Sequence, residues 1–588
     1  MSTSAAAQVR SPRLRRVDAA LGEWVARAFP DAAPEVALAA ALAARAVADG
    51  HSALALDQAQ AWLDGIAGDG KPATLPDAAA WHEILRASPA VHAHAGSVSP
   101  DVGPLVLDAQ RRVYLRRYFQ YELQLASALI TRATDPHTES RIPGPGPRDT
   151  DIDPEQQRAI EVALAHRFML VTGGPGTGKT HGVVRILAAL AQHVPDKPLR
   201  IALAAPTGKA AARLGESLRA QLAGLALPEA VARQIPRDAQ TVHSLLGVSP
   251  WRATPKFHHA MPLPFDVVVV DEVSMVDLPL MAKLVDAVPG TARLILLGDP
   301  DQLSAVEAGN VLGALVQAAR EGPLADCHVA LTRNHRFGTD SALGALARAI
   351  ALGDVDAALH ACARDATVAI ADAPRVARFF DDAVAAFRAV ADARDPGEAL
   401  RAARGFRVLT ALRQGPSGCI AIDRAIAAGL QRRLGVRVDE RWWHGRLILV
   451  TANRPELKLF NGDTGVAWPD ADGAPWVWFE DSDGKPRALA PAALPPHEGA
   501  FALTVHKAQG SEFERAALVT GPDSTVLTRE LLYTGVTRAR SGITLYATPG
   551  TLRTGIGRRT LRMTGLADRL REAAAALPPI AESLPGST

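Results

Sequence analysis

Apolar positions along the first 130 residues recur at helical spacing. VDAALGEWVARAF and PEVALAAALAARAVADG each predict an amphipathic helix, the second with Pro34 near its start and Gly50 where it would stop. PLVLDAQRRVYLRRYFQYELQLASALI reads as a short apolar strand followed by an amphipathic helix carrying Tyr114, Tyr118 and Phe119. Aromatic residues at that spacing are usually core, although the Arg and Tyr content also suits a protein interface. A helical N-terminal domain is expected over residues 1–130, with no recognisable chemistry of its own.

Between Ile142 and Arg148 alternating Pro and Gly deny helix and sheet their backbone hydrogen bonds, which predicts a linker over 131–150. Beyond it short apolar strands alternate with helices: FMLVTG then THGVVRILAALAQHV, LRIALAAPT then GKAAARLGESLRAQLAG, FDVVVVDE then LPLMAKLVDAV, and ARLILLGD. This alternation predicts a parallel sheet covered on both faces, with ligands gathering beyond the carboxyl ends of the strands. A first α/β domain is expected over 151–340. After Phe337 the chain reads as Ala-rich helix to about Arg404, then as strand in GFRVLTAL. From 444 to about 498 the texture is β, with tight-turn pairs at Asn461-Gly462, Asp472-Gly473 and Asp483-Gly484, which predicts a small barrel inserted into the larger domain. FALTVHKAQGSEFERAALV to LLYTGVTRARSGITLYA completes a second α/β domain over 341–588, and the Pro/Ser-rich end after Leu577 is expected to be disordered.

Composition changes this picture only locally. The 588 residues, 48% hydrophobic, suffice for three or four domains, and 64 basic against 62 acidic residues leave no overall polyanion-seeking field. Arg401 to Lys458 nevertheless holds twelve Lys/Arg against four Asp/Glu, whereas Asn461 to Ala500 holds two against seven. The basic block suits a solvated face as well as a groove for DNA or a partner. Cys327, Cys362 and Cys419 stand too far apart for a disulfide framework or a C-x-x-C metal site, which implies a reducing compartment. No run of 18 apolar residues is present, so no membrane span is expected. The opening MSTSAAAQVRSPRLRR imitates an organelle transit peptide but lacks a secretory apolar core, and reads as a frayed tail.

The chemistry starts at VTGGPGTGKT, which fits G-x-x-x-x-G-K-[ST] with a strand before it and a helix after it. Gly173, Gly174, Pro175, Gly176, Thr177 and Gly178 would let backbone N–H groups wrap the phosphates of ATP. Lys179 would neutralise phosphate oxygens, and the Thr180 hydroxyl would ligate Mg²⁺. FDVVVVDE ends a strand in two carboxylates: Asp271 suits the metal and Glu272 suits a general base for the attacking water. Gln302 in GDPDQL follows another strand, where the γ-phosphate can be sensed. Arg336 in LTRNHRF and Arg538 in YTGVTRAR would bring positive charge to the transition state. The second strand–helix unit lacks its own GK[ST] loop, so two units share one nucleotide, the layout of a motor.

The ordered set GGPGTGKT, APTGKAAARL, TVHSLLG, VVVVDEVSMVD, GDPDQLSAVEAG, LTRNHRF, TVHKAQGSEF and LLYTGVTRAR resembles the motifs of superfamily-one helicases that walk 5′→3′ on single-stranded DNA. More narrowly the chain resembles the RecD family, the alpha subunits of exodeoxyribonuclease V (RecBCD). EVALAAALAARAVADGHSALAL, VLTALRQGPSG, WWHGRLILVTAN and NGDTG carry the likeness over residues 18 to 550. The resemblance implies an α/β fold with two RecA-like P-loop NTPase domains, a helical partner-binding N-terminal domain and an SH3-like barrel insertion. It implies ATP and Mg²⁺ as cofactors, RecB and RecC as partners, single- and double-stranded DNA ends as substrate, and a cytoplasmic, nucleoid-associated place in a bacterium. By the same resemblance Gln156 would read the adenine edge and Glu512 would touch the ribose. DNA contacts are implied at Pro206, Thr207, Gly208 and Lys209, at Thr241, Val242 and His243, and at Thr504, Val505, His506 and Lys507. Two departures stand out: Ala508 replaces the family's usual Ser in HKAQG, and the first domain lacks the helix–hairpin–helix repeats of longer stand-alone relatives. No D-x-x-K-type nuclease cluster is visible. A stand-alone helicase, a regulatory ATP switch and an RNA motor are the alternatives.

Overall fold

The computed structural model describes residues 14–66, 74–94, 103–134, 153–193, 198–336 and 341–577, apart from 226, 250, 253, 438, 471, 482, 483 and 522–525. Nearly all of the N-terminal tail, the Pro/Gly stretch of the expected linker and the Pro/Ser-rich end lie outside the described residues.

The first lobe is built on a parallel six-stranded sheet in the order His328–Leu331, Phe168–Gly173, Arg293–Gly298, Val267–Val270, Ile201–Ala205, Gln240–Thr241. Side chains alternate across it. Met169, Val171, Val267, Val269, Ile295 and Leu297 pack with the helices Pro154–Ala165, Lys179–His193 and Gly208–Gly224. Phe168, Leu170, Val268, Val270, Leu294 and Leu296 pack on the opposite face. Burial on both faces explains why these strands read as unbroken apolar runs.

That opposite face is covered partly by distant segments. Leu125, Leu129 and Ile130 of the helix Arg116–Thr134 join its core, as do Leu566 and Leu570 of the helix Leu566–Ala575. These two helices therefore clasp the first lobe, although sequence order places them with residues 1–130 and 341–588. Arg132 reinforces the clasp by donating to the carbonyls of Val285 and Val288.

The N-terminal domain carries the expected helices, with Pro34 opening Pro34–Ala48 and Gly50 following it at φ +88°. It adds a four-stranded sheet in the order Leu54–Ala55, Arg112–Leu115, Leu105–Leu107, Val91–Ala93. Arg112–Leu115, which reads as helix by sequence, is a strand because Asp108 accepts from the backbone N–H groups of Gln110 and Arg112 and turns the chain back.

The second lobe has a parallel sheet in the order Val368–Ile370, Ala539–Tyr546, Phe513–Val519, Phe406–Thr410, Ala502–Thr504. Between its last two sequential halves lies an antiparallel five-stranded sheet, ordered Pro486–Leu489, Pro475–Glu480, Thr464–Pro469, Leu447–Val450, His497–Gly499. Leu447, Leu449, Val466 and Trp468 face the lobe, while Ile448, Val450, Ala467, Val477 and Phe479 form a small core of their own. The expected turns at Gly462 and Gly473 adopt φ +99° and +80°, a region glycine enters without a Cβ clash.

Candidate nucleotide and nucleic-acid site

The loop of residues 173–178 leaves the strand Phe168–Gly173 and enters the helix Lys179–His193. Gly176 and Gly178 hold φ values of +82° and +81°. A Cβ on Gly176 would lie 2.2 Å from the Arg336 Cβ, so the loop is a cradle that any side chain would fill. Thr177 Oγ1 donates to the Gly174 carbonyl at 2.8 Å, and Lys179 Nζ donates to the carbonyls of Gly173 and Gly174 at 2.5 and 2.9 Å. Thr180 lies half-buried in the first turn of the helix, and Pro175 accepts from Asn334 Nδ2 at 2.8 Å. Buried Gln156 reaches the loop from the helix Pro154–Ala165, its amide nitrogen 3.0 Å from where a Gly178 side chain would begin.

Asp271 and Glu272 follow Val267–Val270, one strand removed from the loop strand, and the intervening strand Arg293–Gly298 leads to Asp299 and Gln302. Glu272 has φ +54°, one of three non-glycine residues with positive φ among those described, and its N–H donates to Asp271 Oδ1 at 2.8 Å. Such a conformation costs about 1 kcal/mol or more for an L-residue and turns the chain sharply off the strand. Burial, and next the Glu272 charge, pushes the Asp271 carboxyl up to about 6 against the pull of Lys179. Gln302 Nε2 donates to Asp299 Oδ2 at 2.9 Å, and the Tyr533 hydroxyl of the second lobe donates to the same oxygen at 3.1 Å.

Arginines from both lobes converge on this loop. Arg336 leaves the first lobe beside Gly176, where His335 N donates to the Gly176 carbonyl at 2.8 Å. Its guanidinium meets Glu512 at 2.7 Å. Arg213 and Arg540 each meet Glu512 at 2.9 Å. Burial alone would raise the Glu512 carboxyl, but the charges of Arg213 and Arg336, with hydrogen bonds from Arg213 and Arg540, hold it down at about 2. Gly176, Arg336, Glu512 and Arg540 line a cavity of about 470 Å³. Arg538 is buried behind it, donating to the carbonyls of Thr534 and Ser511, within electrostatic reach of Glu272 and Glu512. Among the residues lining the cavity, two guanidiniums against one carboxylate leave a local positive excess suited to a polyanion.

The segments expected on DNA divide. His243 and His506 are exposed. Thr207 and Thr241 cap helices, accepting from Ala210 N and Ser244 N, while Thr504 is buried and accepts from Lys507 N. Pro206 is half-buried, and Val242 and Val505 are buried in the cores. Both lysines turn to the inserted sheet instead of solvent. Lys209 Nζ donates to the Gly462 carbonyl at 3.1 Å, and burial brings its pKa down to about 8. Lys507 pairs with Glu498. The acidic block of 461–500 thus finds its partners within the chain, as Arg404 with Glu480 and Arg413 with Glu498 also show.

Arg213, Asp299, Asn334, Tyr533 and Arg540 adjoin the site without having been singled out by sequence. Asp299 carried a usable signal, since it ends an apolar strand as Asp271 does. The others carried none: Arg213 and Tyr533 find Glu512 and Asp299 in the other lobe, and Asn334 and Arg540 find Pro175 and Glu512 far along the chain.

No cluster of three or more His, Cys, Asp or Glu able to hold a metal occurs among the described residues. Mg²⁺ takes one or two carboxylates and completes its shell with phosphate and water. A buried carboxyl raised by its neighbour, as at Asp271, is the donor such an ion would stabilise.

Three family models match: RecBCD enzyme subunit RecD, N-terminal domain, over residues 11–114; an AAA domain over 156–308; and a UvrD-like helicase C-terminal domain over 499–546. The RecBCD enzyme subunit RecD of Mycolicibacterium smegmatis is 39% identical, covering 92% of this chain and 95% of that protein. The RecBCD enzyme subunit RecD of Haemophilus influenzae is 36% identical, over 71% of this chain and 72% of that protein. The ATP-dependent RecD2 DNA helicase of Deinococcus radiodurans is 32% identical, over 81% of this chain and 62% of that protein. A solved Pif1 helicase from Bacteroides, in complex with ADP-AlF3 and ssDNA, is a distant likeness at 16% identity and a TM-score of 0.40, over 72% of this chain and 97% of that one. With 39% identity extending over 92% of its length, the chain belongs to the RecD family.

Proposed function

We propose that this chain is the ATP-dependent 5′→3′ DNA helicase and translocase subunit of a RecB–RecC–RecD assembly, acting on DNA ends in double-strand break repair and homologous recombination. The observation that carries the reading is the seam: one phosphate loop, Gly173 to Lys179, bordered at Gly176 by Arg336 and Arg540, with Arg538 buried within electrostatic reach of Glu272.

When bound, ATP with Mg²⁺ supplies the phosphoanhydride and the charge to be neutralised. Thr180 and Asp271 would hold the ion, Lys179 and the loop N–H groups would grip phosphate oxygens, and Gln156 would read the base. Glu272 Oε accepts the proton of the attacking water, Gln302 senses the γ-phosphate, and Arg336 and Arg538 stabilise the charge that develops. Because these groups come from both lobes, filling the seam draws the lobes together and emptying it lets them part. Residues 206–209, 241–243 and 504–507, carried on both lobes, then shift relative to one another along a DNA strand.

The domain limits we assign are 1–130, 151–340 and 341–588, with a linker at 131–150, whose first four residues belong instead to the helix Arg116–Thr134, and an insertion at 444–498 that we read as an SH3-like barrel from its short strands and tight turns. Partner binding is assigned to the N-terminal domain, and DNA cleavage to a partner, because no D-x-x-K-type cluster is visible in this sequence. No helix among the described residues is long and apolar enough to cross a membrane. The free cysteines suit a reducing compartment, and we assign the chain to the bacterial cytoplasm at the nucleoid.

Unwinding of duplexes with 5′ or 3′ single-stranded tails, by the chain alone and with partners added, tests the reading. Preference for the 5′ tail is expected; indifference to tail polarity would sink the directional motor. A pure regulatory switch would leave unwinding by the complex unaltered in Lys179→Gln, whereas the motor reading requires its loss.

A further inference from the structure

The helix Gly208–Gly224 starts in the segment assigned to DNA and reaches across the lobe seam one turn later. Lys209 and Arg213, four residues apart, share the face turned to the second lobe. Arg213 Nη1 donates to the Gly510 carbonyl at 2.8 Å, and Nη2 meets Glu512 Oε1 at 2.9 Å. Gly510 and Glu512 follow closely on Thr504–Lys507, the DNA segment of the second lobe. Arg213 is therefore tied at its root to one DNA segment and at its tip to the chain that carries the other.

Glu512 does not serve Arg213 alone. Its Oε2 takes Arg336 at 2.7 Å and Arg540 at 2.9 Å, and its Oε1 also accepts from Arg336 Nη1 at 3.2 Å. Arg213 and Arg336 thus compete for Oε1. A carboxylate has only about four lone-pair sites, so each donor it gains from one arginine weakens its hold on another. Here, with Arg213 seated on Oε1, Arg336 keeps its longer 3.2 Å bond to that oxygen and lines the cavity beside Gly176; withdrawal of Arg213 would free Oε1 to draw the Arg336 guanidinium closer to Glu512.

We propose that Arg213 is a positioning residue that couples DNA engagement to ATP hydrolysis: the DNA-side helix seats Arg213 on Glu512, and this releases Arg336 toward the nucleotide. The inference rests on the motor reading above. Arg213 acts through Glu512 and Arg336 and touches no nucleotide itself.

The test compares the full chain with Arg213→Gln, Arg213→Lys and Arg219→Gln, the last a half-buried arginine of the same helix paired with Asp238. Steady-state ATPase is measured with and without a single-stranded oligonucleotide, alongside oligonucleotide affinity by fluorescence anisotropy. We expect Arg213→Gln to lower the DNA-stimulated kcat by about tenfold, the scale of one charge-assisted hydrogen bond. Basal turnover, KM for ATP and DNA affinity should stay near wild type. Arg213→Lys, which keeps the charge without the two-pronged geometry, should recover part of the stimulation, and Arg219→Gln all of it. In the background of Glu512→Gln, replacing Arg213 should have no further effect on stimulation, because the two act as one unit. Full stimulation in Arg213→Gln, or additive losses in the double variant, would overturn the inference. Absence of stimulation in the wild-type chain would instead strike the motor reading itself.

Discussion

The Tyr533 hydroxyl donates to Asp299 Oδ2 at 3.1 Å, a hydrogen bond from the second lobe to a buried carboxylate of the first. Asp299 also accepts from Gln302 Nε2 and from the backbone N–H of Asp301, and burial raises its pKa. The residue that would sense the γ-phosphate is thereby joined to the opposite lobe through one carboxylate. A Cβ on Gly174 would lie 2.8 Å from the Tyr533 hydroxyl, so the phosphate loop borders the same contact. Tyr533→Phe keeps the ring and removes the donor. We expect a loss of about 1–3 kcal/mol in urea unfolding followed by tryptophan fluorescence, with a larger relative drop in DNA-stimulated turnover than in ATP affinity.

Gly176→Ala should abolish nucleotide binding while leaving the fold intact. The left-handed backbone at this position costs an L-residue about 1–2 kcal/mol. The added methyl would also collide with Arg336, which has no room to retreat because Asn334 and Glu512 hold it. Calorimetric titration with ATP should give no measurable heat, and the circular dichroism spectrum should match wild type.

Arg336→Ala and Arg538→Ala should each lower kcat for ATP by about 10³ to 10⁵, with ATP affinity changed far less. Lysine should not restore either. Arg538 uses three nitrogens on Thr534, Ser511 and Thr537, a planar fork that an ammonium cannot reproduce. Single-turnover hydrolysis separates this loss from any change in product release.

Acid should loosen the junction between the N-terminal domain and the C-terminal segment. His51 is buried there, and burial, followed by the charge of Arg562, brings its pKa down to about 4. Its Nδ1 accepts from the Met563 N–H at 3.0 Å, which requires the neutral ring. An unfolded histidine titrates near 6.5. From about pH 6.5 down to about 4 the unfolded chain therefore holds the extra proton, and stability falls as pH drops through that window, by about 3 kcal/mol at most. Urea midpoints of wild type against His51→Gln should converge across this range; parallel curves would exclude His51 as the cause.

Arg562 ties the same junction to the loop after Gln302, donating to the Asp49 and Ala305 carbonyls at 2.8 and 3.0 Å and to Ser304 Oγ at 3.2 Å. Arg562→Ala leaves those groups without this donor and should cost about 2–4 kcal/mol. Hydrogen exchange should speed up in residues 304–309 as well as in 49–53.

The phosphate loop, the carboxylates at the strand end and the strand–helix alternation could all be read from the sequence, because their chemistry is local. Contiguous glycines, a lysine one residue past the last of them and an apolar run ending in Asp-Glu need only neighbours along the chain. The strand over Arg112–Leu115 escaped because a four-residue strand beside a long amphipathic helix has no period of its own, and the Asp108 turn decided the matter. Lys209 and Lys507 read as phosphate ligands by residue type; what the sequence did not show is that they also bond the insertion, Lys209 at the Gly462 carbonyl 253 residues away and Lys507 at Glu498 nine residues away.

The sequence by itself determined that one nucleotide is held by one loop, and that apolar strands with helices between them build the frame around it. Only the tertiary structure decided which arginines meet at Glu512, how the helices Arg116–Thr134 and Leu566–Ala575 clasp the first lobe and what Asp299 is bonded to. Arg213 and Gly510 are 297 residues apart, and Tyr533 and Asp299 are 234 apart. No periodicity spans such distances: these pairs form because helices and loops of the two lobes meet at a seam, where a buried charge is costly unless it is paired.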